Sequence, residues 1–265
     1  DWYGSASFEN VPMIGLLDAA QSLYEKFGQY GFDFRIVSKY NETGIGELES
    51  NLQYLSENVV EHPAYWGTRE GAPRPVYVFS PTQLLDPRIF REASDIYLPD
   101  DVVLGWNWMP QMTDLNQYVD TVYPWVQDVR LYAAQDDSLD WGESYLDMFY
   151  SQAVGFNYLT GASWPGYDDR PYVLGEEYFF DRQDTAVYKW TWDKAHENVP
   201  DWLVVTSFND LNRGTHIETS TLNELNFVKE TRNEALEWKG GCARNVDDLG
   251  LTVPQEVFRA REGGV

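Results

Sequence analysis

The sequence predicts an α/β fold built on a parallel sheet. Apolar runs of strand length alternate with amphipathic stretches of helix length along most of the chain. The clearest run, Leu203 to Phe208, stops abruptly in a polar loop that precedes another helical stretch. At 265 residues, 43% hydrophobic and 16% aromatic, the chain can bury a large core in a single domain.

Taken in order, Val11 to Phe27 carries an apolar helical stripe through Met13, Leu16, Leu17, Ala20 and Leu23, and Gly28 ends it. Phe32 to Val37 then reads as a strand, Ile45 to Val60 as a helix, and Pro75 to Ser80 as a second strand of valines and aromatics. A helical turn is expected around Pro81 to Ala93, a third strand at Val102 to Trp108, and a helix at Tyr118 to Val126. Val129 to Ala134 and Phe156 to Trp164 read as further strands, Ala186 to His196 as a helix, Leu203 to Phe208 as the last strand and Thr221 to Trp238 as the last helix. The domain is expected over residues 1–239, and 240–265, with its Gly-Gly pairs, reads as an irregular tail. No internal repeat or low-complexity stretch interrupts this order.

Charge limits the partners. There are 43 acidic and 19 basic residues, a net charge of −24, and the acids are spread along the chain. Scattered acid on an aromatic-rich chain predicts a hydrated anionic surface rather than a disordered tail. That pattern fits a protein of an extreme halophile, where salt screens the carboxylates' mutual repulsion; an ordinary acidic secreted protein is the plainer reading. Either way an extracellular or cell-surface location is expected. Nucleic acid and anionic lipid are not expected partners, since both need clustered basic charge. No run is apolar and long enough to insert in a membrane. Asp1-Trp2-Tyr3-Gly4 lacks the character of a leader, so any signal peptide is expected to have been removed or to lie upstream. The lone Cys242 excludes an internal disulfide and leaves the redox compartment open.

Cofactor chemistry finds little support. His62, His196 and His216 are scattered, with no zinc spacing, and the acidic pairs Asp136-Asp137 and Asp168-Asp169 are not followed by an EF-hand pattern. There is no P-loop, no dinucleotide fingerprint and no nucleophile elbow, so no cofactor is expected.

The loop after Leu203 to Phe208 is the densest in chemistry. Asn209, Asp210, Asn212, Arg213, Thr215, His216 and Glu218 fall within ten positions, with Gly214 available for a turn. In α/β folds sites lie at the C-terminal ends of strands, which makes Asp210 the first carboxylate to consider. The plainer reading is that Asp210 and its Asn neighbours hydrogen-bond the turn and cap the helix after it.

Ser207 to Glu218, S-F-N-D-L-N-R-G-T-H-I-E, resembles without gaps the S-F-N-E-W-H-E-G-T-x-I-E signature of the endo-α-mannosidase family, glycoside hydrolase family 99. Asn51 to Trp66, N-L-Q-Y-L-S-E-N-V-V-E-H-P-A-Y-W, is similar to that family's helix ending in H-P-A, and Ser163 to Asp169, S-W-P-G-Y-D-D, to its P-G-Y-D-D loop. The resemblance implies a (β/α)₈ barrel. D-W-Y-G looks like a sequence that comes after an early strand in the family, so the first one or two strands are expected to be lacking here. Other segments or subunits would then complete the barrel and cover its edges.

The departures bear on activity. The family's two signature glutamates, one acting on the sugar 2-hydroxyl and one as general acid, fall at Asp210 and Arg213. Asp is one methylene shorter, and a displacement of roughly 1 Å can cost about a hundredfold in rate. Arg213 keeps its proton at working pH and cannot act as the acid, although its planar fork suits an anionic group. A third family carboxylate, in H-I-E-P-Y, has no counterpart in Arg35 to Tyr40, R-I-V-S-K-Y.

A sugar site would be walled by Tyr40, by Trp106, Asn107 and Trp108 at the end of the third strand, and by Trp164 and Tyr167. Aromatic faces suit the C–H faces of pyranose rings, although such residues also fill cores. Asn209 and Arg213 would add polar contacts, and Asp168 or Asp169 could supply a replacement acid. The alternative for that pair is a turn closed by a surface ion pair with Arg170. Glu176 and Glu177 rank next, Glu218 reads as structural, and His62 reads as a helix-end cap. Two functions are compatible with these residues: an endo-glycosidase on α-mannose-like or acidic glycans, or an inactive glycan-binding or structural domain of a larger cell-surface or viral assembly.

Overall fold

A computed structural model describes residues 5–6, 10–30, 35–41, 45–69, 71–80, 85–108, 114–125, 140–168, 170, 179–220 and 225–238. The chain divides into two compact units, Asp1–His216 and Ile217–Val265. In the second, the described residues are Ile217 to Ser220 and 225–238, which include one helix, α6 (Asn226–Trp238). The expected tail over 240–265 lies outside the described residues, as do Cys242 and the strand expected at 129–134.

The first unit is α/β. It opens with α1 (Asn10–Phe27), whose stripe buries Leu17 and Ala20, and Gly28–Tyr30 closes it as a short 3₁₀ turn. Next come β1 (Ser38–Asn41), α2 (Leu48–Leu55, prolonged by a π-helical turn Ser56–Val60), β2 (Arg74–Phe79), α3 (Pro87–Tyr97), β3 (Val102–Trp108) and β4 (Thr121–Pro124). The four strands pair in that order, every pair parallel. Local chemistry sets the boundaries: Asp86 accepts from Arg88 N at 2.8 Å, and Pro87 starts α3 where its missing N–H costs nothing.

Two expectations shift. Of the strand expected at 32–37, residues 32–34 lie outside the described residues; among the described ones the sheet pairing begins at Ser38, and Ile36 instead bridges Tyr65, with Ile36 N on Ala64 O at 3.0 Å and Trp66 N on Ile36 O at 2.9 Å. The helix expected at 118–126 is instead a 3₁₀ turn (Leu115–Gln117) followed by β4. Thr121, Val122 and Tyr123 favour a pleated surface, and β3 offers its ladder: Asp120 N donates to Leu104 O at 2.9 Å, and Asp120 Oδ2 accepts from Leu104 N at 3.0 Å.

After α4 (Asp140–Gln152), a helix not expected from the sequence pattern, come β5 (Thr160–Ser163), the short antiparallel hairpin of β6 (Tyr167–Asp168) and β7 (Phe179–Phe180), α5 (Ala186–Asn198) and β8 (Trp202–Val205). β5 and β8 pair in parallel. Hydroxyls link β5 to the first sheet: Thr160 Oγ1 lies 2.9 Å from Thr121 Oγ1 and 3.2 Å from Tyr77 Oη. Tyr158 N also donates to Asp120 O at 3.1 Å. The alternation of parallel strands and covering helices is that of a TIM-barrel-like fold.

The core lies between sheet and helices. Tyr40, Val76, Val78, Trp106 and Trp108 pack against Leu52, Phe90, Tyr145 and Phe149. Burying one such indole removes about 200 Å² from water, a contribution on the order of 5 kcal/mol before entropy is counted. On the opposite face the Tyr77 ring lies across Gly105, where an added Cβ would run into the edge of that ring. Only glycine admits that crossing.

Candidate functional site

The loop after β8 is fixed by its own polar residues. A cis peptide joins Thr206 to Ser207. Ser207 N donates to Thr215 O at 2.9 Å, the two side-chain hydroxyls meet at 2.9 Å, and Asp210 N donates to Ser207 Oγ at 3.0 Å. Asp210 caps the short turn Leu211–Arg213: its Oδ1 accepts from Arg213 N at 3.3 Å, and its Oδ2 lies 3.8 Å from Arg213 Nε. Gly214 comes next at φ 58°, the left-handed conformation that the turn requires. The plainer reading of Asp210 as a turn cap therefore holds, yet the side chains of Asp210 and Arg213 remain 37% and 41% exposed and accessible to a ligand.

Arg182, beyond the signature, clamps this loop. Its guanidinium donates to Gly214 O at 2.5 and 3.1 Å and to His216 O at 2.8 Å. Burial pushes its pKa down to about 10. Sequence reasoning missed this residue because nothing in the run near Arg182 announces a partner thirty positions away.

The structure brings the β6 carboxylate to the same loop. An added Cβ on Gly214 would lie 3.0 Å from Asp168 Cβ and 3.1 Å from Asp168 N. Asp168 itself is held by Arg170, whose Nε and Nη2 reach its two oxygens at 2.8 and 3.0 Å while the guanidinium lies 3.6 Å from the centre of the Phe179 ring. Asp169, Glu176 and Glu177 lie outside the described residues.

The expected aromatic wall needs correction. Tyr40 is fully buried and its hydroxyl accepts from Asn51 Nδ2 at 3.0 Å, so it packs under the helices and presents no face to a sugar. Trp106 and Trp108 are sealed beneath α3 and α4, against Phe90 and against Tyr145 and Phe149. Trp164 is fully buried beside Tyr145, and Tyr167 is buried in β6. Asn107, also buried, accepts from Ser80 N at 2.8 Å and ties together the ends of β2 and β3. Asn209 is exposed in the loop. His62, expected as a helix-end cap, lies one residue past the C-cap Glu61, and its Nδ1 accepts from Ala64 N at 3.1 Å within the following turn.

The half-buried aromatics at the strand ends are others, Phe79 and Trp125, with ring centres 5.1 Å apart. Between them sits Lys39, whose Nζ lies 4.7 Å from the Phe79 ring centre and 4.2 Å from that of Trp125. Burial pushes the Lys39 ammonium down from 10.5 to about 8, with Arg213 acting in the same direction and Asp210 opposing it. Lys39, from within β1, thus feels the charges of Arg213 and Asp210 in the loop after β8.

Among the described residues there is no cluster of His, Cys, Asp and Glu that could hold a metal ion, and no helix is long and apolar enough to cross a membrane.

These features define an α/β chain of the TIM-barrel-like class with a polar rim at its strand ends. No protein-family profile matches the sequence, and no curated protein matches it. Among solved structures, the chain is similar to the GH99 endo-α-mannosidase from Bacteroides thetaiotaomicron, at 16% identity and a TM-score of 0.63, over 90% of this chain and 74% of that one. A second structure of that enzyme, in complex with bis-tris propane, aligns at 17% identity and a TM-score of 0.61, over 90% and 78% of the two chains. The likeness establishes the fold.

Proposed function

We propose that this chain is a carbohydrate-binding domain on a glycoside-hydrolase-like barrel, in which glycosidic cleavage has been given up. The observation that carries this reading is the engagement of the two described candidate carboxylates by nearby arginines, Asp210 by Arg213 and Asp168 by Arg170. Cleavage of a glycosidic bond needs one carboxyl to give a proton and a second to take one or attack. Arg213, where the resemblance leads one to expect the acid, keeps its proton at working pH and cannot serve as that acid. The similarity to endo-α-mannosidase structures supports a glycan as the ligand. An extracellular or cell-surface setting, in a halophile, fits the net charge of −24, and other segments or subunits would complete the barrel.

One observation favours the active alternative. Gly214 brings Asp168 against the Asp210 loop, so two carboxylates share one rim. Mass-spectrometric product analysis after incubation with α-mannosyl and acidic oligosaccharides in molar salt, beside an Asp210→Asn control, tests both. No cleavage with glycan binding retained is expected. Cleavage abolished in the control would establish a glycosidase and overturn the binding-only reading.

A further inference from the structure

The loop after β8 divides by burial in a regular way. Ser207, Asp210 and Arg213, spaced evenly along it, are half-buried, and Thr215 and His216 are buried. The half-buried residues hold the loop together: the Ser207 hydroxyl meets that of Thr215 and accepts from Asp210 N, and Asp210 accepts from Arg213 N. The residues between them, Phe208, Asn209, Leu211 and Asn212, are exposed, Phe208 by 59% and Leu211 by 55%. A single exposed apolar side chain needs no explanation, but here a Phe and a Leu share one clamped loop at a strand end.

The composition of that exposed edge selects a ligand. It consists of two apolar side chains and two neutral amides, without a charge, on a chain of net charge −24. Apolar groups suit the C–H faces of a sugar ring, and an amide, which both donates and accepts, suits its hydroxyls. Tyr40, Trp106, Trp108, Trp164 and Tyr167 are buried, whereas Phe208 presents its ring to solvent.

We infer that Phe208, Asn209, Leu211 and Asn212 form the ligand-contacting edge of this loop, and that they take an uncharged oligosaccharide lying along the surface. This rests on the glycan-binding reading and specifies the ligand's charge class and the side chains that hold it. Phe208 is the platform for one ring, Leu211 extends the apolar contact, and Asn209 and Asn212 bond hydroxyls at the ring edges. Arg182 and the loop's own polar residues fix the backbone before a ligand arrives, so little freedom is lost on binding. An open edge has no walls to enclose a single sugar, which favours a chain over a monosaccharide.

The test is isothermal titration calorimetry in molar salt with three tetrasaccharides: an α-linked mannotetraose, cellotetraose and tetragalacturonate. At least one neutral probe is expected to bind, more tightly than the acidic one, with an affinity that does not change when the salt is doubled, since no charge pair forms. Phe208→Ser should weaken that binding by about tenfold, the scale of one lost stacked ring, and Phe208→Trp should preserve it. Asn209→Ala and Asn212→Ala should each weaken it by about fivefold, the scale of one hydrogen bond. Phe27→Ser, at an exposed ring on α1, should leave it unchanged. Neutral-probe binding that survives Phe208→Ser and both asparagine variants would overturn the proposed edge and leave glycan binding standing. Preference for tetragalacturonate that fades as salt rises would do the same. Self-association in sedimentation velocity that Phe208→Ser abolishes would assign the edge to a second copy of the chain instead. Binding of no probe by protein with a cooperative unfolding transition would overturn both readings.

Discussion

On the helix-facing side of β1 to β4, Tyr40, Trp106 and Trp108 are dry and locked among aromatic neighbours. One residue away along the same strands or just beyond them, Lys39, Phe79, Asn107, Tyr123 and Trp125 carry the polar and cationic contacts. Adjacent residues thus have unrelated duties, because a strand sends successive side chains to opposite faces. A cluster such as Trp106-Asn107-Trp108 does not act as a unit, and chemistry is found by taking every second position.

That contrast can be broken experimentally. The largest effect is expected on the dry face: Trp106→Ala should cost about 3–5 kcal/mol in urea denaturation, with glycan affinity of the folded protein unchanged. A change in affinity at preserved stability would instead place Trp106 in the site. On the inner face, Gly105→Ala forces a methyl into the Tyr77 ring and should cost about 1–3 kcal/mol by the same measurement. A neutral outcome would mean that Tyr77 moves freely.

Lys39→Met tests the cationic side, with an effect smaller again. A lowered amine pKa means the folded state disfavours the ammonium. Its cost is present in full below about pH 8 and is relieved as pH climbs towards 10.5. Lys39→Met should therefore be more stable than the parent at pH 7, and that advantage should shrink by pH 10. Urea midpoints at the two pH values check it, and a constant difference would contradict the assigned burial. The smallest effect belongs to Arg170→Ala, since its pair with Asp168 is partly exposed; less than about 1 kcal/mol is expected in thermal unfolding.

Much of the fold was legible because its signals were local. The stripe through Leu17 and Ala20, the run Val102 to Trp108 and the helix from Ala186 each declared themselves by period. β4 did not, because Thr121 to Pro124 becomes a strand through the ladder that β3 offers, which no short window contains. At the site, the Asp210 loop was legible from its polar density and its resemblance to a known signature. Lys39 was overlooked because S-K-Y-N has no apolar pattern, and its aromatic partners arrive from β2 and from just beyond β4. The side-chain orientation of Trp106, Trp108 and Trp164 was equally hidden, since a strand sequence gives its alternation but not which face the helices cover.

The clamp made by Arg182 bears on how this loop could be used elsewhere. The carbonyls of Gly214 and His216 are bound by a side chain from just after β7, beyond the signature itself. The segment 207–216 is therefore not a portable part. Grafted alone onto another barrel it would arrive without its buttress, and its outward shape would have to be rebuilt by the host. Carried with the β6–β7 hairpin and Arg182, it would bring its own foundation. The smallest transferable unit of this rim is two segments long.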